Sequence, residues 1–257
     1  MRFAALGSGS RGNGVLVEGR DTCLLIDCGF SVRETERRLA RLGRCASDLS
    51  AVLVTHEHSD HVAGVAALAR KYQLPIYATA GTGLGGVRNG RCLGEAPTFH
   101  VINPREHFTI GGLTIRPVLV PHDAREPSQY VVSDGLRKFG LLTDLGSITP
   151  TVLEAYSDCD GLMLECNHDS ELLAAGPYHP ALKRRVGGPW GHLSNAQAAH
   201  FITRVERRRL QCVVMSHLSE QNNTVELATA AMGPALLGSD VLIAADQTEG
   251  VSWQELI

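Results

Sequence analysis

Thr55-His56-Glu57-His58-Ser59-Asp60-His61 follows directly on the apolar run Ala51-Val52-Leu53-Val54. The run reads as a buried strand, and His56, His58, Asp60 and His61 then place four metal-ligating side chains within six residues. Imidazole and carboxylate are the usual ligands of zinc, iron and manganese. His56 and His58 project from a loop with one residue between them and suit one ion. Asp60 and His61, at the start of the next helix, suit a second, and the turn between the pairs would hold the ions about 3.5–4 Å apart. The bland alternative is a solvated polar turn with Asp60 as helix N-cap. Four ligands so close together weigh against it.

The same arrangement recurs along the chain. Cys23–Ile26 ends in Asp27, Val118–Val120 runs into Pro121-His122, and Gly140–Leu142 into Thr143-Asp144. Leu162–Leu164 ends in Glu165, and Cys212–Met215 in Ser216-His217. With the first run, six buried-strand candidates terminate in Asp, Glu or His. Polar loops explain any one such ending, but not all six. In open α/β sheets ligands bind in the crevice beyond the strand ends, where these side chains would gather.

Between the apolar runs lie amphipathic stretches, so the class is layered α/β. Arg2–Leu6, Val15–Glu18 and Cys23–Ile26 read as strands joined by glycine-rich turns. Ser31 with Glu34 has capping-box spacing, with Val32, Thr35, Leu39 and Leu42 on one face. Ser194 with Gln197 repeats it ahead of Ala198, Phe201, Ile202 and Val205. A third helix is predicted from about Asp60 to Tyr72, with Val62, Val65, Ala66 and Ala69 inward.

Composition narrows the class further. The 257 residues are 44% hydrophobic and 20% charged with a formal net charge of −3, which argues against disorder and against a globally basic nucleic-acid binder. No apolar run approaches the roughly 18 residues of a membrane span, and the short apolar N-terminus, broken at Gly7, is no signal peptide. The seven cysteines are odd in number, scattered and without a C-x-x-C pair, so neither a zinc ribbon nor a disulfide framework is expected. A reducing cytoplasm is the expected location. Cys23 and Cys212, flanked by apolar residues, read as buried strand residues.

His-x-His-x-Asp-His after an apolar strand resembles the metallo-β-lactamase superfamily, which implies a four-layer αββα sandwich with a di-metal site. The resemblance implies that His56, His58 and His122 hold one ion and that Asp60, His61 and His217 hold the other, with Asp144 shared. Asp27 corresponds to the early aspartate that steadies the histidine loop. The match narrows to the YycJ (WalJ) group through Gly7–Asn13, Thr55–His61, Pro121–Pro127, Glu165–Asp169, Gly191–Asn195 and Ser216–Glu220. That group implies a metal-dependent 5′→3′ exonuclease acting on DNA, with a role in DNA repair. It also implies one domain over residues 1–257 without the inserted β-CASP domain. Cys166 stands where the group leads one to expect a small residue, and reads as packing.

Once the metals are satisfied, His192 and Glu165 remain. In related phosphodiesterases a histidine near the terminal-ligand strand protonates the leaving oxygen, oriented by a carboxylate, and His192 with Glu165 suits that role. The helix start at Ser194 and Asn195 is a natural phosphate site, or else a plain N-cap. Gly7–Gly14 either wraps a phosphate, with Ser10 and Asn13 as polar contacts, or is a hairpin turn. Lys183-Arg184-Arg185 and Arg204 with Arg207–Arg209 either grip a phosphate backbone or form a solvated face. His168, His179 and His200 read as surface or core histidines.

The chemistry implied is hydrolysis by a hydroxide bridging two divalent ions, zinc or manganese, with Asp60 both ligand and orienter of that hydroxide. The leading expectation is a DNA exonuclease, although the residues themselves suit RNA equally well. The alternative is a small-molecule metallo-hydrolase of the same fold, acting on a thioester, lactone or cyclic phosphodiester, which needs neither His192 with Ser194 nor the basic clusters. A non-catalytic module would have lost some of the seven metal-site residues. An iron redox protein would carry a carboxylate in place of His58. Oligomeric state is not legible in the residues, and no membrane partner is expected.

Overall fold

A computed structural model of the chain describes residues 1–85, 93–96, 98–238 and 240–257; Cys92 lies outside them. The chain divides into two compact units. The first comprises Met1–Leu119, Ala124–Arg137 and Asp246–Ile257, and the second Val120–Asp123 with Lys138–Ala245.

In the first unit the strands are β1 (Arg2–Gly7), β2 (Gly14–Gly19), β3 (Thr22–Ile26), β4 (Ala51–Leu53), β5 (Ile76–Ala78), β6 (Phe99–Val101), β7 (Phe108–Ile110), β8 (Leu113–Leu119) and β9 (Ser128–Ser133). Its helices are α1 (Val32–Arg41), α2 (Ser59–Val62), α3 (Val65–Tyr72) and α4 (Ala80–Leu84). β1, β2 and β3 form an antiparallel meander, after which β3 to β6 run parallel. β7, β8 and β9 pair antiparallel. The parallel register Ile26↔Leu53↔Tyr77 is set by connections through helices, and it brings the ends of β3 and β4 level at Asp27 and Val54.

The second unit holds β10 (Lys138–Leu142), β11 (Gly161–Glu165), β12 (Cys212–Ser216) and β13 (Val241–Ala244), with α5 (Pro150–Tyr156), α6 (Ser170–Ala175), α7 (Pro180–Val186), α8 (Asn195–Arg204) and α9 (Val225–Met232). Its four strands are parallel in register Leu142↔Leu164↔Met215↔Ala244, so Asp144, Glu165 and His217 fall at one carboxyl edge. β10, β11 and β12 are apolar and buried almost without interruption, as parallel strands covered on both faces are. Tyr156 of α5 reaches β10, its hydroxyl donating to Leu141 O at 2.6 Å.

The last strand, β14 (Val251–Glu255), returns to the first unit and pairs antiparallel with β1. The core beneath that sheet includes Leu6, Leu16, Leu25, Leu39, Val52, Leu68 and Ile76, with Trp253 of β14 against its margin. Arg38, inside α1, is 7% exposed because its guanidinium lies 4.0 Å from the Phe30 ring centroid and donates to Leu6 O and Gln247 O. Glu34 receives Arg37 and Arg38, and the Arg37 hydrogen bond foremost holds its carboxyl down to about 2.

Both capping boxes expected from sequence mark helix starts. Ser31 and Ser194 accept from the backbone N–H three residues on, and the latter pair is reciprocal with Gln197. The expected helix from Asp60 to Tyr72 is instead two, α2 and α3, divided at Ala63-Gly64. Gly64 gives its N–H to Cys28 O rather than to a helical carbonyl, and a Cβ there would lie 1.9 Å from Phe30 O. The break lets the histidine turn dock on the end of β3.

Candidate metal centre

Asp27 organises the first unit's ligands. It follows β3, is 2% exposed and adopts a φ of 62°, a left-handed conformation that costs energy for any residue but glycine. Its two oxygens accept Thr55 N at 2.8 Å and Thr55 Oγ1 at 2.7 Å, and His61 Nδ1 lies 2.8 Å away. Because the Thr55 hydroxyl proton goes to Asp27, its oxygen accepts from His56 Nδ1 at 3.0 Å. Both buried imidazoles therefore carry their proton on Nδ1 and present Nε2 as the ligating nitrogen. The His56 ring centroid lies 4.5 Å from that of His58 and 4.1 Å from that of His61.

The turn carrying these rings is stitched down by main chain. Asn13 N donates to Asp60 O, Cys28 N to His61 O, and Gly29 N to Asn13 O. A Cβ on Gly29 would stand 1.8 Å from Asp60 O, so only glycine admits this approach. Asn13 then turns its amide onto the ligands, with Nδ2 3.2 Å from Asp60 Oδ2 and 3.1 Å from His61 Nε2.

Glu165 does for the second unit what Asp27 does for the first. It ends β11 fully buried and accepts three backbone N–H groups, from Asp144, Leu145 and Leu193. His192 Nδ1 lies 2.8 Å and His217 Nδ1 3.1 Å from its Oε1. Asp144, Glu165, His192 and His217 each bring a ligand-type atom within 4.8 Å of the others. Asp144 and His217 both sit at a φ of 53°, the strained region again. Nearby, His122 Nδ1 donates to Gly191 O at 3.1 Å, which presents its Nε2 likewise.

Charge in this cluster follows from crowding. Burial alone would raise Glu165, but the charge and hydrogen bond of His192 and the bond from His217 hold it down to about 2. Burial opposes charge on His217 too, and Asp144 with Glu165 overcomes it, lifting the imidazole to about 10. His192 is raised as well, against its burial, chiefly by Glu165. A pocket with two carboxylates this close calls for positive charge, which a divalent ion supplies better than a proton. Imidazole Nε2 edges and carboxylates held from behind by hydrogen bonds fit such an ion.

The residues expected to touch substrate are placed as follows. Ser10 is exposed. Asn13 accepts Gly9 N on Oδ1 while its amide meets Asp60 and His61. The glycine-rich turn between β1 and β2 is tied to Gln247, with Arg11 N donating to Gln247 Oε1 and Gln247 Nε2 to Gly12 O. Ser194 Oγ serves as the α8 cap, and Asn195 is 3% exposed in a reciprocal amide pair with Asn223 at 2.8 Å. Arg207 donates to Ala235 O, Arg208 pairs with Glu206 and Arg209 with Asp160, all beyond the end of α8.

Three supporting residues escaped the sequence reading. Thr55 was visible in the motif only as a neighbour. Asn167, whose amide holds His217 O at 2.9 Å, stands in the Glu165–Asp169 block without a role of its own being legible, and Asn223, which also donates to Cys166 O, carries no local signal. Cys166 is buried as expected, and burial pushes its thiol up.

Residues 22–217 match the family model described as Beta-lactamase superfamily domain. The chain is 36% identical over 248 residues to Exodeoxyribonuclease WalJ of Streptococcus pneumoniae serotype 2 (strain D39 / NCTC 7466), covering 96% of this chain and 92% of that protein. It is 34% identical to Exodeoxyribonuclease YycJ of Bacillus anthracis, over 92% and 89%. Among solved structures, the metallo-beta-lactamase fold protein YhfI from Bacillus subtilis superposes with a TM-score of 0.72 at 18% identity over 99% of both chains, a likeness of fold alone. The fold is the αββα sandwich expected from the histidine motif. Shared fold, a family match through every candidate ligand, and identity along nearly the whole length lead to one conclusion: the chain belongs to the metallo-β-lactamase superfamily, within its WalJ/YycJ group.

Proposed function

We propose that the chain is a di-metal phosphodiesterase acting as a 5′→3′ DNA exonuclease, with residues 1–257 forming one domain. In this reading His56, His58 and His122 hold one divalent ion and Asp60, His61 and His217 the other, with Asp144 shared. The observation that carries it is the common orientation of the imidazoles. Nδ1 is engaged by Thr55 in His56, by Asp27 in His61, by Gly191 O in His122 and by the two carboxylates in His217. Such hydrogen bonds behind a ligand fix its tautomer and raise its basicity. The relatives from Streptococcus pneumoniae and Bacillus anthracis, which span nearly the whole chain, are exodeoxyribonucleases, and this favours DNA over a small-molecule substrate. Zinc or manganese suits the donors, a reducing cytoplasm suits the unpaired thiols, and DNA repair is the pathway we assign.

The ions supply Lewis acidity toward the phosphate and lower the pKa of water. Asp60, held by Asn13, orients the attacking water. His192, with Nδ1 fixed by Glu165 and its side chain 21% exposed, has Nε2 left to protonate the leaving oxygen.

The reading is tested by degradation of 5′-labelled linear DNA by metal-stripped protein resupplied with manganese or zinc, with His58→Ala as control. Stepwise, metal-dependent shortening is expected; turnover of a thioester with intact DNA would sink the assignment. His192→Ala is expected to slow hydrolysis by roughly 10²-fold while ion content by mass spectrometry stays at the wild-type value. Because Glu165 raises His192, the acid form persists above the ordinary histidine range and activity falls as pH rises through the raised value. That alkaline limb should vanish in His192→Ala and move to lower pH in Glu165→Gln. A pH–rate profile unchanged in both variants would remove His192 from proton transfer.

A further inference from the structure

Trp190 lies two residues before His192, on the turn that links α7 to the proton donor. The residue is 59% exposed, and among the described residues it is the one aromatic in the set of exposed large apolar groups. The backbone that presents it is fixed. His192 N donates to Val186 O at 2.8 Å, Gly191 N to Gly188 O at 3.0 Å, and Ser147 Oγ to Pro189 O at 3.1 Å. A Cβ on Gly191 would lie 2.1 Å from Arg185 O, so the turn folds tightly back on the end of α7. Gly191 O, one residue on, receives His122 Nδ1.

The surroundings are cationic. From Pro177 to His192 the sequence carries Lys183, Arg184 and Arg185 and no acid. Arg185 is paired with Asp123, and Lys183 Nζ donates to Ala174 O at 2.5 Å, while Arg184 is exposed. An exposed aromatic side chain on a backbone-anchored turn, following a helix whose last turn carries Lys183, Arg184 and Arg185, has the chemistry of a single-stranded nucleic-acid site. Bases stack on the ring and phosphates meet the cations, with little dependence on sequence. Two residues of backbone span about 7 Å at most, which places Trp190 on the same short turn as His192.

We propose that Trp190 is the stacking platform for an unpaired base at the cleaved end of a DNA strand, with Arg184 and Lys183 taking the phosphates beside it. This rests on the exonuclease reading. It assigns α7 and Trp190 to strand capture, while Gly191 in the same turn holds His122 for the chemistry.

Two measurements on the full chain test it. With Trp253→Phe, one tryptophan remains, and oligo(dT) added to metal-free protein should quench its fluorescence saturably. In metal-loaded protein, Trp190→Ala should raise KM for a single-stranded oligonucleotide roughly tenfold with kcat within about twofold, and Trp190→Phe should restore most of the loss. No quenching, an unchanged KM, or a fall in kcat alone would overturn the platform. Failure of the exonuclease reading has a different signature: the unmodified chain itself leaves DNA intact. The fluorescence titration reports on Trp190 in that event too.

Discussion

Glu165→Ala is expected to cost about 3–5 kcal/mol of folding stability and to lower the thermal midpoint by roughly 10 °C. The carboxylate is fully buried beneath three backbone N–H groups and two imidazoles. Alanine removes every acceptor at once. A buried donor left without an acceptor loses its full desolvation penalty rather than the net value of one hydrogen bond. The loss is a large share of a typical domain's total stability of about 5–15 kcal/mol. Ion affinity should fall with it, because Asp144 and His217 lose the group that aligns them. Glu165→Gln keeps the shape and one acceptor, so its midpoint should lie between the two. Scanning calorimetry with and without added manganese separates the effects. A midpoint within about 2 °C of wild type for alanine, roughly one-fifth of the expected shift, would mean the cluster repacks around the gap.

His61→Ala and Asp60→Ala are expected to abolish hydrolysis, by roughly 10³-fold or more in kcat/KM, while the protein still folds. Each side chain is one ligand of the proposed second ion, so bound metal should drop from two ions per chain to one. Asp27→Asn gives the graded counterpart. It retains a hydrogen-bonding side chain but no longer accepts from His61 Nδ1 as an anion, and ion affinity should weaken by about 10–100-fold. Elemental analysis alongside turnover distinguishes the outcomes. An Asp60→Ala protein with full metal content and no activity would make Asp60 an orienter of water and not a ligand.

The strand ends were legible because parallel β-strands are apolar without interruption and stop abruptly at a polar group. Asp27, Glu165 and His217 stand out for that reason. The sequence also showed the helix starts at Ser31 and Ser194, whose caps act over three residues. What it did not show depends on distant partners or on backbone conformation. Arg38 reads as a surface arginine on α1 until Leu6 O, Gln247 O and the Phe30 ring are brought around it. Asn13 and Asn195 read as candidate substrate contacts, and the sequence does not show that one also faces Asp60 and the other Asn223, partners 47 and 28 residues away. The left-handed turns at Asp27, Asp144 and His217 were hidden because no glycine announces them. Gly64 interrupts a helical pattern whose apolar spacing continues on either side, so the break between α2 and α3 was invisible to periodicity.

The pairing of β1 with β14 joins residues 253 positions apart, Arg2 and Glu255, and Gln247 just ahead of β14 ties the glycine-rich turn to the same edge. An outermost strand is where a sheet frays first, since it has a neighbour on one side only. Each time β14 peels away, Gln247 would release Arg11 and Gly12 and loosen the turn whose Gly9 N–H steadies the Asn13 side chain, while the main-chain bonds of Asn13 to Asp60 and Gly29 remain. The grip on the ion should therefore flicker with the rate of that fraying. Amide exchange along β14 and the off-rate of the metal become two views of one motion.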